Sequence, residues 1–206
     1  MIESQFVTVI GQAVAGSPGE RATDPTAERI LDAAVQEAAT VGLRRITIED
    51  VVRRAGVSRM TAYRRYPRRE DLIQALIHRE TQRFLATVAH AIDSTPEPHG
   101  VAEAFVAAVA FAREHPMLSR AGQFGSPPAG DSADLLAMGS AFIANYLHGD
   151  SPGRPSQSVR WVADVFARLF LTYVSMPSTD PDFRDDAALR RFAHEVLTPM
   201  AERAVG

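Results

Sequence analysis

The sequence predicts an all-α protein of 206 residues. Apolar residues recur at helical spacing through most of the chain. Glycine and proline, 13 of each, cluster at a few breaks between these apolar stripes. No segment has the pattern of a strand long enough to begin a sheet, and no internal repeat is visible. Long helices joined by short loops are therefore expected.

The composition excludes several classes of protein. The chain has no cysteine, so disulfides, thiolate metal sites and cysteine nucleophiles are all ruled out. It has no apolar run near the length of a transmembrane helix, which is about 20 residues. The first residues lack the basic start of a signal peptide. A cytoplasmic location is the expectation.

Positive charge is concentrated in one short stretch, although the formal net charge of the whole chain is −3. Residues 44–69 hold nine arginines against two acids, which gives this stretch a charge of +7. The remainder of the chain carries −10. A basic island on an acidic body is the electrostatic pattern expected for a protein that binds a polyanion. The arginines are at positions 44, 45, 53, 54, 59, 64, 65, 68 and 69.

The first helix is predicted to begin at Asp24, which can act as its N-cap, with Pro25 in the first helical position. An apolar stripe that includes Ile30 and Val35 follows, and Gly42 is a suitable C-terminal stop. Residues 1–23 precede this helix. Their glycines and proline predict a flexible N-terminal arm.

Two short helices follow, each with its own cap. Thr47 can cap the second helix, with Asp50 as its partner in a capping box. Gly56 permits a left-handed turn, after which Ser58 caps a third helix that runs to about Arg65.

The rest of the chain is predicted to be helical as well. A long fourth helix is expected from Arg69 to about Asp93, before a proline-rich linker at 95–100. Glycine and proline then separate further helices at about 100–114, 116–122, 131–148, 156–176 and 183–203.

Residues 47–66 have the parts of a helix-turn-helix. A capped apolar helix, a tight turn at 55–57 and a second helix with outward polar groups are the mechanical requirements of that motif. The guanidinium groups of arginines can donate paired hydrogen bonds to phosphates or to the edges of guanine bases. The hydroxyls of Thr61 and Tyr63 can reach phosphates, and Thr61 can also contact a thymine methyl group. The alternative is a solvated, arginine-rich helical surface without a ligand.

Residues 26–73 resemble the N-terminal DNA-binding domain of the TetR/AcrR family. The sequence Ala55-Gly56-Val57-Ser58 is followed by Thr61 and Tyr63, then by an aromatic residue and a basic-Glu-x-Leu helix start. The resemblance implies phosphate contacts for Thr47, Ser58, Tyr63 and Arg69, and contacts to bases or their backbone for Arg59, Met60, Thr61 and Arg64. Two residues depart from the family pattern. Met60 replaces a small residue, and Arg68 replaces a common Ser or Asn cap and adds a possible phosphate contact.

The resemblance implies three domains and a homodimer on a palindromic double-stranded DNA operator. The domains are the arm at 1–23, a three-helix DNA-binding domain at 24–70, and a helical ligand-sensing and dimerisation domain at 71–206. The last two helices carry apolar stripes that could form a four-helix bundle between subunits. The alternative is that these stripes form the core of one subunit. The predicted dimer residues are Phe166, Phe170, Leu189, Phe192, Val196 and Met200.

The resemblance also implies a small hydrophobic or aromatic effector, bound among aromatic, methionine and histidine side chains in the second half of the chain. The effector would favour a conformation in which the long fourth helix moves the DNA-binding domains apart, releasing a repressor from DNA. Ordinary core packing is the alternative for each residue, and a DNA-binding factor without small-molecule control is the alternative for the protein. The predicted effector residues are Phe105, Phe111, His115, Met117, Phe124, Met138, Phe142, Tyr146, Trp161 and Tyr173.

No enzyme or cofactor is predicted. Residues 149–153 spell G-x-S-x-G, but a hydrolase elbow needs a preceding strand, and a helix is expected there. The six histidines include no i,i+4 pair and no H-E-x-x-H motif, so a metal site could arise only through folding.

Overall fold

The computed structural model describes residues 24–119, 129–149, 151–176 and 182–205, and all regular structure within these ranges is helical. The predicted arm at 1–23 and Phe124 lie outside the described residues. The helices are α1 (Pro25–Val41), α2 (Ile48–Ala55), α3 (Arg59–Arg65), α4 (Arg69–Asp93), α5 (Gly100–Glu114), α6 (Ala129–His148), α7 (Gln157–Ser175), α8 (Asp186–Phe192) and α9 (Thr198–Val205), and a π-helical segment (Ala193–Leu197) joins α8 to α9.

The described residues form two compact units. The first contains 24–83 and 115–119, and the second contains the remainder from residue 84 onward. Helix α4 contributes its first turns to the first unit and its last turns to the second. The first unit extends past residue 70, where the sequence placed the boundary, because Leu72 and Leu76 of α4 are buried in its core.

Capping fixes the ends of α1 as the sequence predicts. The Asp24 carboxylate accepts a hydrogen bond from the Thr26 amide at 2.9 Å. Gly42 ends the helix with φ of 84°, and its amide donates to the Ala38 carbonyl. An ion pair between Asp24 and Arg65 also links the start of α1 to the end of α3.

The core of the first unit is aliphatic. Ile30 of α1, Ile46 of the following loop, Val51 of α2 and Leu76 of α4 are each at most 1 % exposed. Burying one such side chain contributes about 1.5–3 kcal/mol. Helix α3 buries only Ala62, so a helix this short depends on α1, α2 and α4 for its stability.

Residues 116–119 form a turn, which corrects the helix predicted at 116–122; residues 120–122 are outside the described part of the chain. The amides of Leu118 and Ser119 both donate to the carbonyl of His115, at 3.1 and 2.9 Å. The Met117 amide donates to Nδ1 of the same histidine at 3.3 Å. His115 therefore closes the chain into a turn directly after α5.

The second unit packs α5, α7 and the C-terminal helices around a mixed aliphatic and aromatic core. Phe105, Phe166 and Leu189 are at most 6 % exposed. Arg113 of α5 donates to the Phe183 carbonyl at 2.8 Å and pairs with Asp186 at 2.7 Å. The single helix predicted at 183–203 is instead α8, the π-helical segment and α9.

None of the helices among the described residues combines the length and the apolar character that crossing a bilayer requires.

Candidate DNA-binding surface and effector-sensing residues

Thr47 positions the start of α2. Its Oγ1 accepts a hydrogen bond from the Asp50 amide at 3.2 Å and donates one to Asp50 Oδ2 at 2.6 Å. The Asp50 carboxylate therefore accepts a hydrogen bond from the hydroxyl of Thr47. In a capping box it would accept one from the backbone amide of Thr47 instead. Arg53 also pairs with Asp50. The cap keeps Thr47 exposed at an N-terminus whose free amides can face an anion.

Gly56 forms the turn between α2 and α3. Its φ of 64° and ψ of 33° are left-handed, as the sequence predicts. The side chain of Arg29 in α1 donates to the carbonyl of Ala55 at 2.9 Å, which satisfies an acceptor at the end of α2. A β-carbon at Gly56 would meet nothing closer than 3.7 Å, so the backbone conformation, rather than space, requires glycine.

Helix α3 presents a polar and basic face to solvent. Ser58 Oγ accepts from the Thr61 amide at 3.1 Å, which confirms it as the N-cap. Ala62 is 1 % exposed and anchors the helix, whereas Met60 is 81 % exposed. Arg59 and Arg64 are exposed on the same short helix, and Thr61 is half-buried. These are the features that a recognition helix needs.

Glu49 of α2 is hydrogen-bonded to Tyr63, a residue that was predicted to contact a phosphate. The Tyr63 hydroxyl donates to Glu49 Oε1 at 2.5 Å. This hydrogen bond lowers the pKa of Glu49 and raises the pKa of Tyr63. An ionised carboxylate therefore lies beside a proposed phosphate contact. The sequence did not indicate Glu49, because the contact joins residues 14 apart across the turn.

Arg69 donates hydrogen bonds to the backbone of the protein itself. Its guanidinium donates to the carbonyls of Ile46 at 2.7 Å, Leu43 at 3.0 Å and Arg44 at 2.7 Å. Arg69 thus ties the start of α4 to the loop before α2, next to Thr47. Its phosphate contact stays a prediction, but these hydrogen bonds show that Arg69 also has a structural role within the protein.

Arg68 is available at the surface beside α3. Its side chain is 78 % exposed, and its amide donates to Asp71 Oδ2 at 3.0 Å. Asp71 therefore caps α4 in place of the Ser or Asn that the sequence lacks at position 68.

Ion pairs reduce the positive field of residues 44–69. Arg54 pairs with Glu37 at 2.8 Å, and Arg65 pairs with Asp24; both acids lie outside that stretch. The charge count from the sequence therefore overstates the positive electrostatic field of this stretch. Exposed arginines such as Arg59 and Arg64 contribute most of it.

The structure groups only part of the predicted effector set, in the second unit. Phe111 packs against Phe84, with ring centroids 5.5 Å apart, and Phe84 packs against Phe170 at 5.6 Å. A second group joins Phe105 and Tyr173 through Phe192 and Phe183. Phe84 and Phe183 were not predicted, because only folding brings them to these neighbours. Met138 and Phe142 are half-buried on α6.

Tyr146 lies beside the start of α5. Burial raises its pKa, and a hydrogen bond with Glu97 acts in the same direction. Its hydroxyl would be 2.9 Å from a β-carbon at Gly100, so an alanine at that position would displace the Tyr146 hydroxyl.

Three predicted effector residues do not join these groups. His115 and Met117 belong to the first unit, where Met117 packs against the aliphatic core and His115 Nε2 lies 2.9 Å from Glu80 Oε2. Trp161 is 64 % exposed. The effector role of these three residues stays a prediction, and the sequence alone could not distinguish an inward side chain from an outward one.

The predicted dimer residues divide between core and surface. Phe166 and Leu189 are at most 2 % exposed and belong to the core of their own chain, which corrects their assignment to an interface. Phe170, Phe192 and Met200 are half-buried against that core. Val196 is 40 % exposed. Large exposed apolar side chains lie instead on α7, at Trp161 and Val165, and directly after it, at Met176.

Comparisons with known proteins agree with this geometry. Residues 30–76 match the model for bacterial regulatory proteins of the tetR family. An uncharacterized HTH-type transcriptional regulator of Mycobacterium tuberculosis is 29% identical over 190 residues, covering 89% of this chain and 91% of its own length. The HTH-type transcriptional regulator AlkX of the same species is 28% identical and covers 85% of each chain.

Two solved structures share the fold. The TetR family repressor AlkX from Dietzia sp. strain DQ12-45-1b, implicated in biodegradation of n-alkanes, superposes with a TM-score of 0.53 at 19% identity, covering 89% of this chain and 98% of the other. The fatty acid degradation regulator FadR from Bacillus halodurans gives a TM-score of 0.50 at 16% identity, covering 87% and 97%. The matched family and the curated relatives are transcriptional regulators, not enzymes.

Proposed function

We propose that this chain, which is a transcriptional regulator of the tetR family, acts in the cytoplasm as a dimeric repressor that a small hydrophobic effector releases from a palindromic operator. The single observation that carries the DNA-binding part is the exposed basic face of α3. Family membership supports the dimer and the effector.

Helix α3 enters the major groove in this proposal. Arg59, Met60, Thr61 and Arg64 approach base edges or the adjoining backbone, and Thr47, Ser58, Tyr63 and Arg68 contact phosphates. Met60 offers an apolar surface of the kind that recognises a thymine methyl group. Arg69 acts indirectly, since it fixes the loop that carries Thr47.

Fluorescence anisotropy on operator DNA tests this assignment. Arg64→Ala is expected to weaken binding by about 1–3 kcal/mol if it reads a base, and to reduce the salt slope by about one if it contacts a phosphate. Arg154→Ala is the matched control, since Arg154 is an exposed arginine of the second unit. Equal affinities and salt slopes for both variants and the unmodified protein would contradict the assignment.

The proposed dimer uses the outward face of α7. Trp161 and Val165 lie four residues apart on one side of this helix, and Met176 directly follows its last residue; Trp161 and Met176 are each about two-thirds exposed. Val196 adds exposed apolar surface on the π-helical segment. Apolar groups exposed in this way are typical of protein interfaces, and a two-fold pairing would place two copies of α3 on one operator.

The proposed effector contacts the half-buried aromatic residues of the second unit. Phe84, Phe111 and Phe170 offer ring faces and edges that suit an alkyl chain or an aromatic ring. One protein of similar structure is implicated in biodegradation of n-alkanes and another is a fatty acid degradation regulator, so both ligand classes belong in a test. Because α4 carries Phe84 and continues into the first unit, it is the proposed path of coupling.

Effector control is tested by adding n-alkanes, fatty acids and aromatic compounds to the protein–operator complex. One class is expected to release DNA, and Phe111→Ala is expected to shift its half-maximal concentration at least fivefold while DNA affinity without the compound is unchanged. Phe183→Leu, in the other aromatic group, is the matched control. Retention of DNA with every class would favour the alternative, a DNA-binding factor without small-molecule control.

A further inference from the structure

Two histidines from distant parts of the chain meet in the second unit. His99 lies immediately before α5, and His194 lies in the π-helical segment between α8 and α9. Their Nδ1 atoms are 3.2 Å apart, and their rings are inclined by 65°. No sequence motif indicates this pair, because 95 residues separate the two histidines.

Glu103 defines the orientation of His194. Its Oε1 lies 2.7 Å from His194 Nε2 and 3.1 Å from Arg190 Nε. The carboxylate accepts the Nε2 proton of His194 and the Nε proton of Arg190. In the neutral imidazole, Nδ1 then keeps its lone pair and faces His99.

The backbone holds both histidines in place. The His99 amide donates to the Pro96 carbonyl, and the Glu103 amide donates to the His99 carbonyl, each at 3.1 Å. His194 lies between Ala193 and Leu197, which are both fully buried. Single π-helical turns occur frequently at functional sites, because the additional residue reorients the side chains that follow.

The spacing of the two nitrogens suits a shared metal ion. With Zn–N bonds of about 2.0–2.1 Å, nitrogens 3.2 Å apart subtend roughly 100–105° at the metal, close to tetrahedral. A carboxylate on the second ring nitrogen of a metal-bound histidine is a recurrent arrangement that orients the ligand and raises its basicity. His99 is exposed, which leaves a path for the ion.

We propose that His99 and His194 bind a borderline transition-metal ion, Zn²⁺ in the first instance, through their Nδ1 atoms, with Glu103 as the positioning residue. Water completes the coordination, since no group of three metal-ligating side chains is present among the described residues. The ion would join the loop before α5 to the π-helical segment, and so stabilise the second unit when it is bound.

Isothermal titration of the tag-free, full-length protein with ZnCl₂ in a non-coordinating buffer tests the site. One Zn²⁺ per chain is expected, with an affinity at least tenfold weaker in both His99→Ala and His194→Ala. His90→Ala is the matched control, because His90 is exposed and its Nδ1 lies 3.5 Å from Ser94 Oγ. Glu103→Gln is expected to weaken binding about 10–100-fold. Circular dichroism in EDTA checks that each variant folds.

A crystal of the Zn²⁺-loaded protein gives a readout that needs no variant. An anomalous peak at the zinc edge is expected about 2.0–2.1 Å from both Nδ1 atoms. At a hundredfold excess of Zn²⁺ over Kd, the Tm is expected to rise by roughly 5 °C or more. The proposal is overturned if the heats of Zn²⁺ binding in both histidine variants equal those of the unmodified protein, or if no anomalous peak lies between the two rings. The two histidines would then be joined only by a hydrogen bond.

Discussion

At the scale of single residues, Tyr63 and Glu49 set the charge of the surface through which α3 is proposed to bind DNA. The Tyr63 hydroxyl donates a hydrogen bond to the Glu49 carboxylate, and this bond lowers the pKa of Glu49. In the proposed complex, a DNA phosphate would approach this negative charge or displace the carboxylate from the Tyr63 hydroxyl. Glu49 preorganises Tyr63 and at the same time opposes the polyanion.

Glu49→Gln is expected to strengthen operator binding about three- to tenfold, because it removes a negative charge from the surface that faces DNA. Tyr63→Phe is expected to weaken binding by about 1 kcal/mol through loss of one hydroxyl contact. Anisotropy titrations at two salt concentrations measure both effects. Glu195→Gln, an exposed acid on the π-helical segment, is the control. Weaker binding by Glu49→Gln would show that its orienting role dominates.

Glu80 is a second decisive residue, within the first unit. Burial opposes its ionisation, but hydrogen bonds from His115 and Arg79 prevail and lower its pKa. A carboxyl group whose pKa is lowered on folding stabilises the protein above the ordinary carboxyl pKa. That contribution is lost as the pH falls through the lower, folded-state value.

Glu80→Gln is expected to reduce the free energy of unfolding at pH 7 by about 1–3 kcal/mol, because His115 and Arg79 lose an ionised partner. The variant should also lose less stability than the unmodified protein between about pH 4.5 and pH 3. Urea unfolding at several pH values measures this. The exposed Glu202→Gln is the control, and equal pH profiles for all three proteins would contradict the role of Glu80.

At the scale of elements, the sequence predicted helices most accurately where caps and glycines mark their ends. Asp24, Thr47 and Ser58 each cap the helix that they were expected to cap, and Gly42 and Gly56 end helices with positive φ. These signals act over three or four residues, so no knowledge of the fold is needed to use them.

The sequence was least informative where tertiary contacts decide the local backbone conformation or the burial of a side chain. The turn at 116–119 depends on hydrogen bonds to His115, and the π-helical segment interrupts an apolar stripe that looks continuous. Which apolar residues face outward also depended on packing. Phe166 and Trp161 both lie on α7, but only the structure shows that the first is buried and the second exposed.

Gly56→Ala tests the importance of the turn within the helix-turn-helix. A left-handed conformation costs an alanine about 1–2 kcal/mol, so stability should fall by that amount and DNA binding should weaken. Gly139→Ala is the matched control. Gly139 lies within α6, and its new β-carbon would make an ordinary contact with Ala167 at 3.5 Å, so a gain of up to about 1 kcal/mol is expected. Thermal melts that rank the two variants in the opposite order would contradict this account.

At the scale of the whole molecule, the outward face of α7 is proposed to join two chains. The double variant Trp161→Asp with Val165→Asp is expected to yield monomers, because an interface cannot bury two unpaired charges. Light scattering after size-exclusion chromatography measures the mass. Met60→Asp introduces an acid at an exposed apolar residue of the first unit and should remain dimeric. A double variant that stays dimeric would exclude this face.

In the proposed complex, two copies of α3 read two inverted half-sites. Selection of duplexes from a random library by the purified protein, followed by sequencing, measures this directly. An enriched inverted repeat is expected, with half-sites about 10 base pairs, or roughly 34 Å, apart, or a multiple of that spacing. Enrichment of a single unpaired site, or of no sequence at all, would contradict it.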